Sequence, residues 1–373
     1  MERLDVLNGL REARFLGERA ALATVVNVIG SAYRREGTVM LVRADGTYTC
    51  LVSGGCLEGE IVFLAQEVMH SGEARLQRYN LDEERMFGLG IGCAGEMDIY
   101  IEAANPNDPL QQRWHQTWEN FELAAQLTCL GGSGARTILT PLEVCGSLGA
   151  VQEQAEALMR RRLALPQPKA GLVDLGGLTY FLDVNIPPPE LLLFGAAHDS
   201  QAVVRLACES GFRVRVVDMR AGLLTPERFP GAALSPLTPE QFPQLSIGPR
   251  SFVVVMNHHF LLDLASLRRA LQSEAPFIGL LGPRSRLDKL AANAQDEGLP
   301  LTPAELSRIR NPLGLAIGAD TTTEVAISIV AELLAASRGF SGGPLDGHQG
   351  KIHSPALASD VEIEINGLES TAS

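Results

Sequence analysis

The sequence predicts an α/β protein, with a mixed α/β N-terminal domain followed by a Rossmann-like, doubly wound parallel sheet. Three observations carry that prediction. From Leu191 onward, short runs apolar on both faces alternate with helical periods, as strands of a parallel sheet covered on both sides must. The first of these runs ends at Phe194 and enters a glycine turn, Gly195-Ala196-Ala197-His198-Asp199-Ser200, that leads into a helix. Before it, short β-rich runs and glycine turns lead into an amphipathic helix, and a second, weaker copy of that pattern follows.

The elements follow in turn. Ala20 to Ile29, Thr38 to Arg43 and Tyr48 to Val52 are apolar and β-branched, with Asp45-Gly46 as the hairpin turn between the last two. Glu58 to Met69 is a helix, because Ile61, Val62, Leu64, Ala65 and Val68 recur at helical spacing on one face. A strand at Met97 to Ile101 follows, and Asn105-Pro106-Asn107-Asp108-Pro109 is a strong breaker. The passage from Gly37-Thr38 through Cys50 to a helix resembles that from Gly134-Ala135 through Cys145 to a helix near Gln152 to Arg162. An internal duplication and a chance recurrence of short strand-glycine-helix units both account for this.

Pro187-Pro188-Pro189 reads as a stiff spacer, which gives domains at 1–186 and 187–339. In the second, strands at Leu191 to Phe194, Arg213 to Val217, Phe252 to Met256 and Phe277 to Leu281 alternate with helices from Ser200 and through Leu264 to Leu271. Thr323 to Ala336 is the last helix, with threonines as candidate caps and Gly339 as its stop. The stretch 340–373 lacks periodicity and is expected to be a disordered tail.

Composition removes several classes. The chain has 373 residues, and its 31 Lys and Arg against 44 Asp and Glu leave a net charge of −13, which repels a nucleic-acid backbone. No run reaches the roughly 18 apolar residues of a membrane span, and the acidic start (Glu2, Asp5, Glu12) does not suit a signal peptide, so a cytoplasmic location is expected. Six cysteines without CxxC or HxxxH spacing point to free thiols and away from the common zinc patterns.

Two glycine-flanked thiols stand out. Ser53-Gly54-Gly55-Cys56-Leu57-Glu58 places a cysteine at a helix start, where unpaired N–H groups and the helix dipole favour a reactive thiol and an anion. Gly88 to Gly95 sets Cys93 in a second glycine-dense loop, and the pair suits a soft metal or sulfur chemistry. Ser31, Arg34 and Arg35 add a hydroxyl and two cations for a phosphate. In the Rossmann-like half, Asp218 lies near the position that binds a ribose hydroxyl, His258 and His259 follow a strand end where such sheets bind ligands, and Arg284 and Arg286 follow another. Ala197 and Asp199 argue against a pyrophosphate at the first turn.

Taken in order, Gly30 to Met40, Ser53 to Glu58, Gly92 to Gly95, Phe194 to His198, Val217 to Arg220, Arg228 to Pro230, Asn257-His258 with Asp263, Gly279 to Gly282, Asn311 to Leu315 and Glu324 to Glu332 resemble the motifs of the xanthine dehydrogenase maturation factor (XdhC/CoxI) family. The resemblance spans about residues 10–337. The chain departs from that pattern at Tyr33, where proline is expected, and at Ser53, Ala94 and Ala197, where glycine is. The resemblance implies a chaperone that binds molybdenum cofactor, protects it while a cysteine desulfurase exchanges an oxo ligand for sulfide, and loads it into a molybdenum hydroxylase of xanthine dehydrogenase or CO dehydrogenase type. Its cofactor residues here would be Ser31, Arg34, Arg35, Gly54, Gly55, Cys56, Glu58 and Cys93, with Gly195, His198, Asp218 and His258 in the second domain, and Cys56 and Cys93 as the metal-facing thiols. A homo-oligomer is expected.

Two other functions fit the residues. An NAD(P)-dependent oxidoreductase would place Asp218 on the ribose and use His258 as acid or base, and a thiol sensor would form a Cys56–Cys93 disulfide.

Overall fold

The computed structural model describes residues 2–30, 32–80, 95–131, 134–165 and 167–346; Ser31, Cys93 and the tail from 347 onward lie outside the described residues. The chain divides into two compact units, Met1–Pro187 and Pro188–Ser373.

The first unit is built twice on one plan. Helix α1 (Glu2–Leu16) precedes β1 (Ala20–Gly30), β2 (Val39–Arg43), β3 (Tyr48–Thr49), α2 (Glu58–Ser71), β4 (Arg75–Asn80) and β5 (Gly95–Ala103). Helix α3 (Pro109–Glu119) then precedes β6 (Ala124–Cys129), β7 (Arg136–Leu139), β8 (Val144–Gly146), α4 (Gln152–Leu163), β9 (Gly171–Leu175) and β10 (Leu178–Asn185). The strand orders, β3-β2-β1-β5-β4 and β8-β7-β6-β10-β9, are the same order shifted by five strands. A chance recurrence would not repeat five strands and two helices in one topology, so the duplication stands.

Alternation along each strand sorts the layers. Ala21, Ala23, Val25, Met40 and Val42 turn to Ile61, Leu64, Ala65 and Val68 of α2. Ala125, Leu127 and Leu139 turn to Ala155 and Met159 of α4. The opposite faces of both sheets, through Leu22, Leu41, Ala124 and Ile138, meet α1 and α3 in a shared core with Trp114 and Trp118. Among the described residues, three ion pairs cross between the halves: Arg3 to Asp183 at 2.6 Å, Arg136 to Glu102 at 2.5 Å and Arg11 to Glu119 at 2.6 Å.

Three local readings change or gain detail. The strand expected to run to Val52 stops at Thr49, because Cys50 takes a left-handed φ of 66° that no strand continues through. The breaker at Asn105 to Pro109 is also a helix start: Asp108 caps α3 by accepting from the Leu110 and Gln111 amides, and Pro109 sits at its first position. The hairpin turn at Asp45-Gly46 forms as expected, with Asp45 Oδ1 accepting from the Thr47 amide.

The second unit is a six-stranded parallel sheet in the order β13-β12-β11-β14-β15-β16, the Rossmann arrangement. Its strands are β11 (Glu190–Phe194), β12 (Arg213–Val217), β13 (Ala233–Ser235), β14 (Ser251–Val255), β15 (Phe277–Leu280) and β16 (Ile309–Arg310). Between and after them run α5 (Ser200–Glu209), α6 (Phe260–Leu271), α7 (Arg284–Asp296), α8 (Pro303–Ser307) and α9 (Thr322–Ser337). Leu192, Phe194, Val253 and Val255 face α6 and α7, while Leu191, Leu193, Val214 and Val254 face α5 and α9. Thr321 caps α9 in a capping box with Glu324.

Candidate functional site

The loop before α2 presents Cys56 to solvent. Its conformation needs glycine at Gly55, whose φ is +105°, and at Gly54, Gly55 and Gly59 an added Cβ would meet nothing within 4 Å. The thiol therefore stands on a ledge bare of side chains.

Beneath that ledge the polar groups are engaged with one another. Ser53 Oγ accepts hydrogen bonds from the amides of Gly55, Cys56 and Leu57 at 3.2, 3.1 and 3.1 Å. The Ser53 hydroxyl donates to Glu58 Oε2 at 2.5 Å, and the Ser53 amide donates to Glu58 Oε1 at 2.8 Å. Glu58 is 2% exposed. Burial alone would raise its pKa, but the Ser53 hydroxyl and amide outweigh that and hold it below the ordinary carboxylate value, so it is ionised at neutral pH. In place of the open amide donors expected at this helix start, the structure has donors turned inward onto Ser53. The serine that departs from the family pattern is the residue that fills them.

The two arginines of the first motif separate in role. Arg34 pairs with Glu2 at 2.8 Å and lies over the Tyr33 ring, whereas Arg35 is exposed and has no ion pair among the described residues.

In the second unit, four expected residues gather at the carboxyl ends of β11, β12 and β14. Gly195 has a φ of +115°, and a Cβ there would lie 2.4 Å from the Met256 carbonyl oxygen, so this glycine serves the approach of the neighbouring strand. Asp218 is 3% exposed and fully used: Oδ2 accepts from the Ala196 amide at 2.8 Å and from Arg220 Nη2 at 2.7 Å, while Oδ1 accepts from the Arg220 amide and Nε. Burial opposes its ionisation, yet the Arg220 guanidinium and the backbone donors bring its pKa below the usual value. His198 is exposed, and His258, in a left-handed φ of 56°, sets Nε2 2.7 Å from Asp199 Oδ2. The carboxylate expected at a ribose thus holds the turn itself, and the start of α5, where a pyrophosphate would rest, carries Asp199. Arg286 is likewise committed, to the buried Asp263.

Sequence reasoning missed a polar seam between the sheets of the first unit, formed by Arg3, Glu102, His115, Gln126, Arg136 and Asp183. A signal was available in the single charges of otherwise uncharged strands, Arg136 in β7 and Asp183 in β10.

Comparison with known proteins gives one consistent picture. The family model described as the XdhC and CoxI family matches residues 14–80, and the one described as the XdhC Rossmann domain matches residues 191–333. A Bacillus subtilis protein, named as one of the subunits of a probable xanthine dehydrogenase, is 28% identical over 85% of this chain and 93% of its own length. The Escherichia coli protein named molybdenum cofactor insertion chaperone PaoD is 26% identical over 86% of this chain and 85% of its own length. A crystal structure described as a xanthine dehydrogenase from Bacillus halodurans superposes with a TM-score of 0.72 at 28% identity, covering 91% of this chain and 98% of that one.

Proposed function

Because this chain belongs to the XdhC and CoxI family, with that family's two domains in order, we propose that it takes up molybdenum cofactor as cargo and delivers it to a molybdenum hydroxylase of xanthine dehydrogenase or CO dehydrogenase type. The observation that carries this reading is the exposed Cys56 thiol on its bare glycine ledge, a soft donor with room beside it for a bulky, sulfur-ligated metal centre. A relative named for molybdenum cofactor insertion, aligned along most of both chains, supports the same cargo.

The residues fit the metal end of that cargo better than its phosphate end. The Gly55 amide is committed to Ser53, and Arg34 to Glu2, so among the first-motif cations Arg35 is the one available to a phosphate. Buried Glu58 sits under the thiol loop and shapes it through Ser53. A cysteine desulfurase acting while the cargo is held would complete the cycle, in the cytoplasm. NAD(P) has no part in it, since the Asp218 oxygens are occupied within the turn.

The test is retention of cargo. Wild-type protein mixed anaerobically with molybdenum cofactor should carry molybdenum and pterin in equal amounts through gel filtration and activate an apo molybdenum hydroxylase. Cys56→Ser should lose at least about tenfold in retention, the cost of losing even an outer partner of a metal site. Full retention by the serine variant would take the thiol out of the cargo site.

A further inference from the structure

The two halves of the first unit meet around a polar chamber of about 30 Å³, lined by Leu22, Glu102, Trp118, Gln126, Arg136 and Asp183 among others. Its guanidinium groups are paired, Arg136 with Glu102 and Arg3 with Asp183, a carboxyl whose pKa burial raises against the opposing pull of Arg3. His115 on the wall is neutral: burial, with Arg136 and Arg3 nearby, lowers its pKa to about 4.

Among the described residues, three buried polar atoms at this seam have no hydrogen-bond partner: Trp118 Nε1, Gln126 Oε1 and Arg3 Nη1. Trp118 is 3% and Gln126 6% exposed, so bulk solvent does not serve them, and buried groups of this kind are rarely left unsatisfied. Gln126 is oriented by its own Nε2, which donates to Thr128 Oγ1 at 3.2 Å and leaves the carbonyl oxygen as the orphan. A ligand in the chamber must accept from Trp118 and donate to Gln126. A halide can only accept and an ammonium ion can only donate, so neither satisfies both groups.

We propose that this chamber is a binding site for a single water molecule, held between Trp118 and Gln126 as a fixed part of the seam between the duplicated halves. Its size suits one water, which needs at least about 10–15 Å³ and two to four polar partners. The duplication shows why one wall is wet. Strand pairing puts Gln126 opposite Asp183 and Leu22 opposite Glu102, so Leu22 occupies in the first half the place of Gln126 in the second, and hydrocarbon closes that side.

Crystals of the full chain grown in sodium bromide test this directly. One density peak within hydrogen-bonding reach of Trp118 Nε1 and Gln126 Oε1, without anomalous bromide signal, is the expected result. A solution arm uses the fact that no hydrogen bond joins Trp118 to Gln126, so the shared water is what couples them. Trp118→Phe and Gln126→Met should each lower the folding equilibrium constant about tenfold, and the double variant also about tenfold rather than a hundredfold. A dry chamber, a bromide peak, or losses that simply multiply would each overturn the proposal, and the crystal decides if a variant fails to fold.

Discussion

His258 Nε2 lies 2.7 Å from Asp199 Oδ2, which ties the loop after β14 to the cap of α5 across the point where the strand order reverses. Asp199 also accepts from the Ser200 amide at 3.1 Å, so one carboxylate closes a helix end and restrains a backbone held at a positive φ. The same crest in a dinucleotide enzyme is open to its cofactor.

Asp199→Ala should therefore cost about 1 kcal/mol, the usual worth of a helix cap, measured by urea denaturation of the full chain. Titration of the wild-type protein with NADH or NADPH should evolve no heat, and saturable heat with either would return the oxidoreductase reading to consideration.

Ser53→Ala should destabilise the first unit by about 2 kcal/mol, because three amides lose one acceptor and the Glu58 carboxylate loses its hydroxyl donor together. The urea midpoint reads this out. An unshifted midpoint would mean that solvent replaces the hydroxyl at no cost, and the loop would then owe its shape to glycine alone.

Acid should weaken the first unit through His115. Its pKa is lowered to about 4 in the folded state, chiefly by burial, from about 6.5 unfolded. The unfolded chain therefore takes up a proton that the folded one refuses, so there is no penalty above pH 6.5 and a growing one as pH falls toward 4, reaching about 3 kcal/mol. His115→Asn should flatten the stability profile between pH 7 and pH 5. A variant whose profile runs parallel to wild type would place the acid sensitivity elsewhere.

Much of this architecture is legible in the sequence, and the reasons differ by element. The four inner Rossmann strands β11, β12, β14 and β15 are apolar runs marked locally, whereas β13 and β16, of three and two residues, are too short to carry a pattern and are not read from the sequence. The duplication is visible only faintly, because strands such as β4, with burial confined to Tyr79 and Gln77, carry little periodic signal. Cys56 is legible as an exposed thiol at a helix start, since flanking glycines leave it no packing partner. The committed state of its neighbours is not legible: nothing in Ser53-Gly54-Gly55 says that the serine oxygen will gather three amides. Partners distant in sequence, such as Arg3 and Asp183, depend on the meeting of two sheets that no local pattern encodes.

The repeated strand order has a practical corollary for anyone who would cut this protein. The cross-sheet ion pairs join residues 180 and 34 positions apart, and Leu22, Leu41, Ala124 and Ile138 share one apolar layer. Each copy is thus half of a sandwich and supplies the other's lid. A fragment ending at Asn105 would carry a complete motif yet present a greasy, charged face to water, and should aggregate where the intact pair does not.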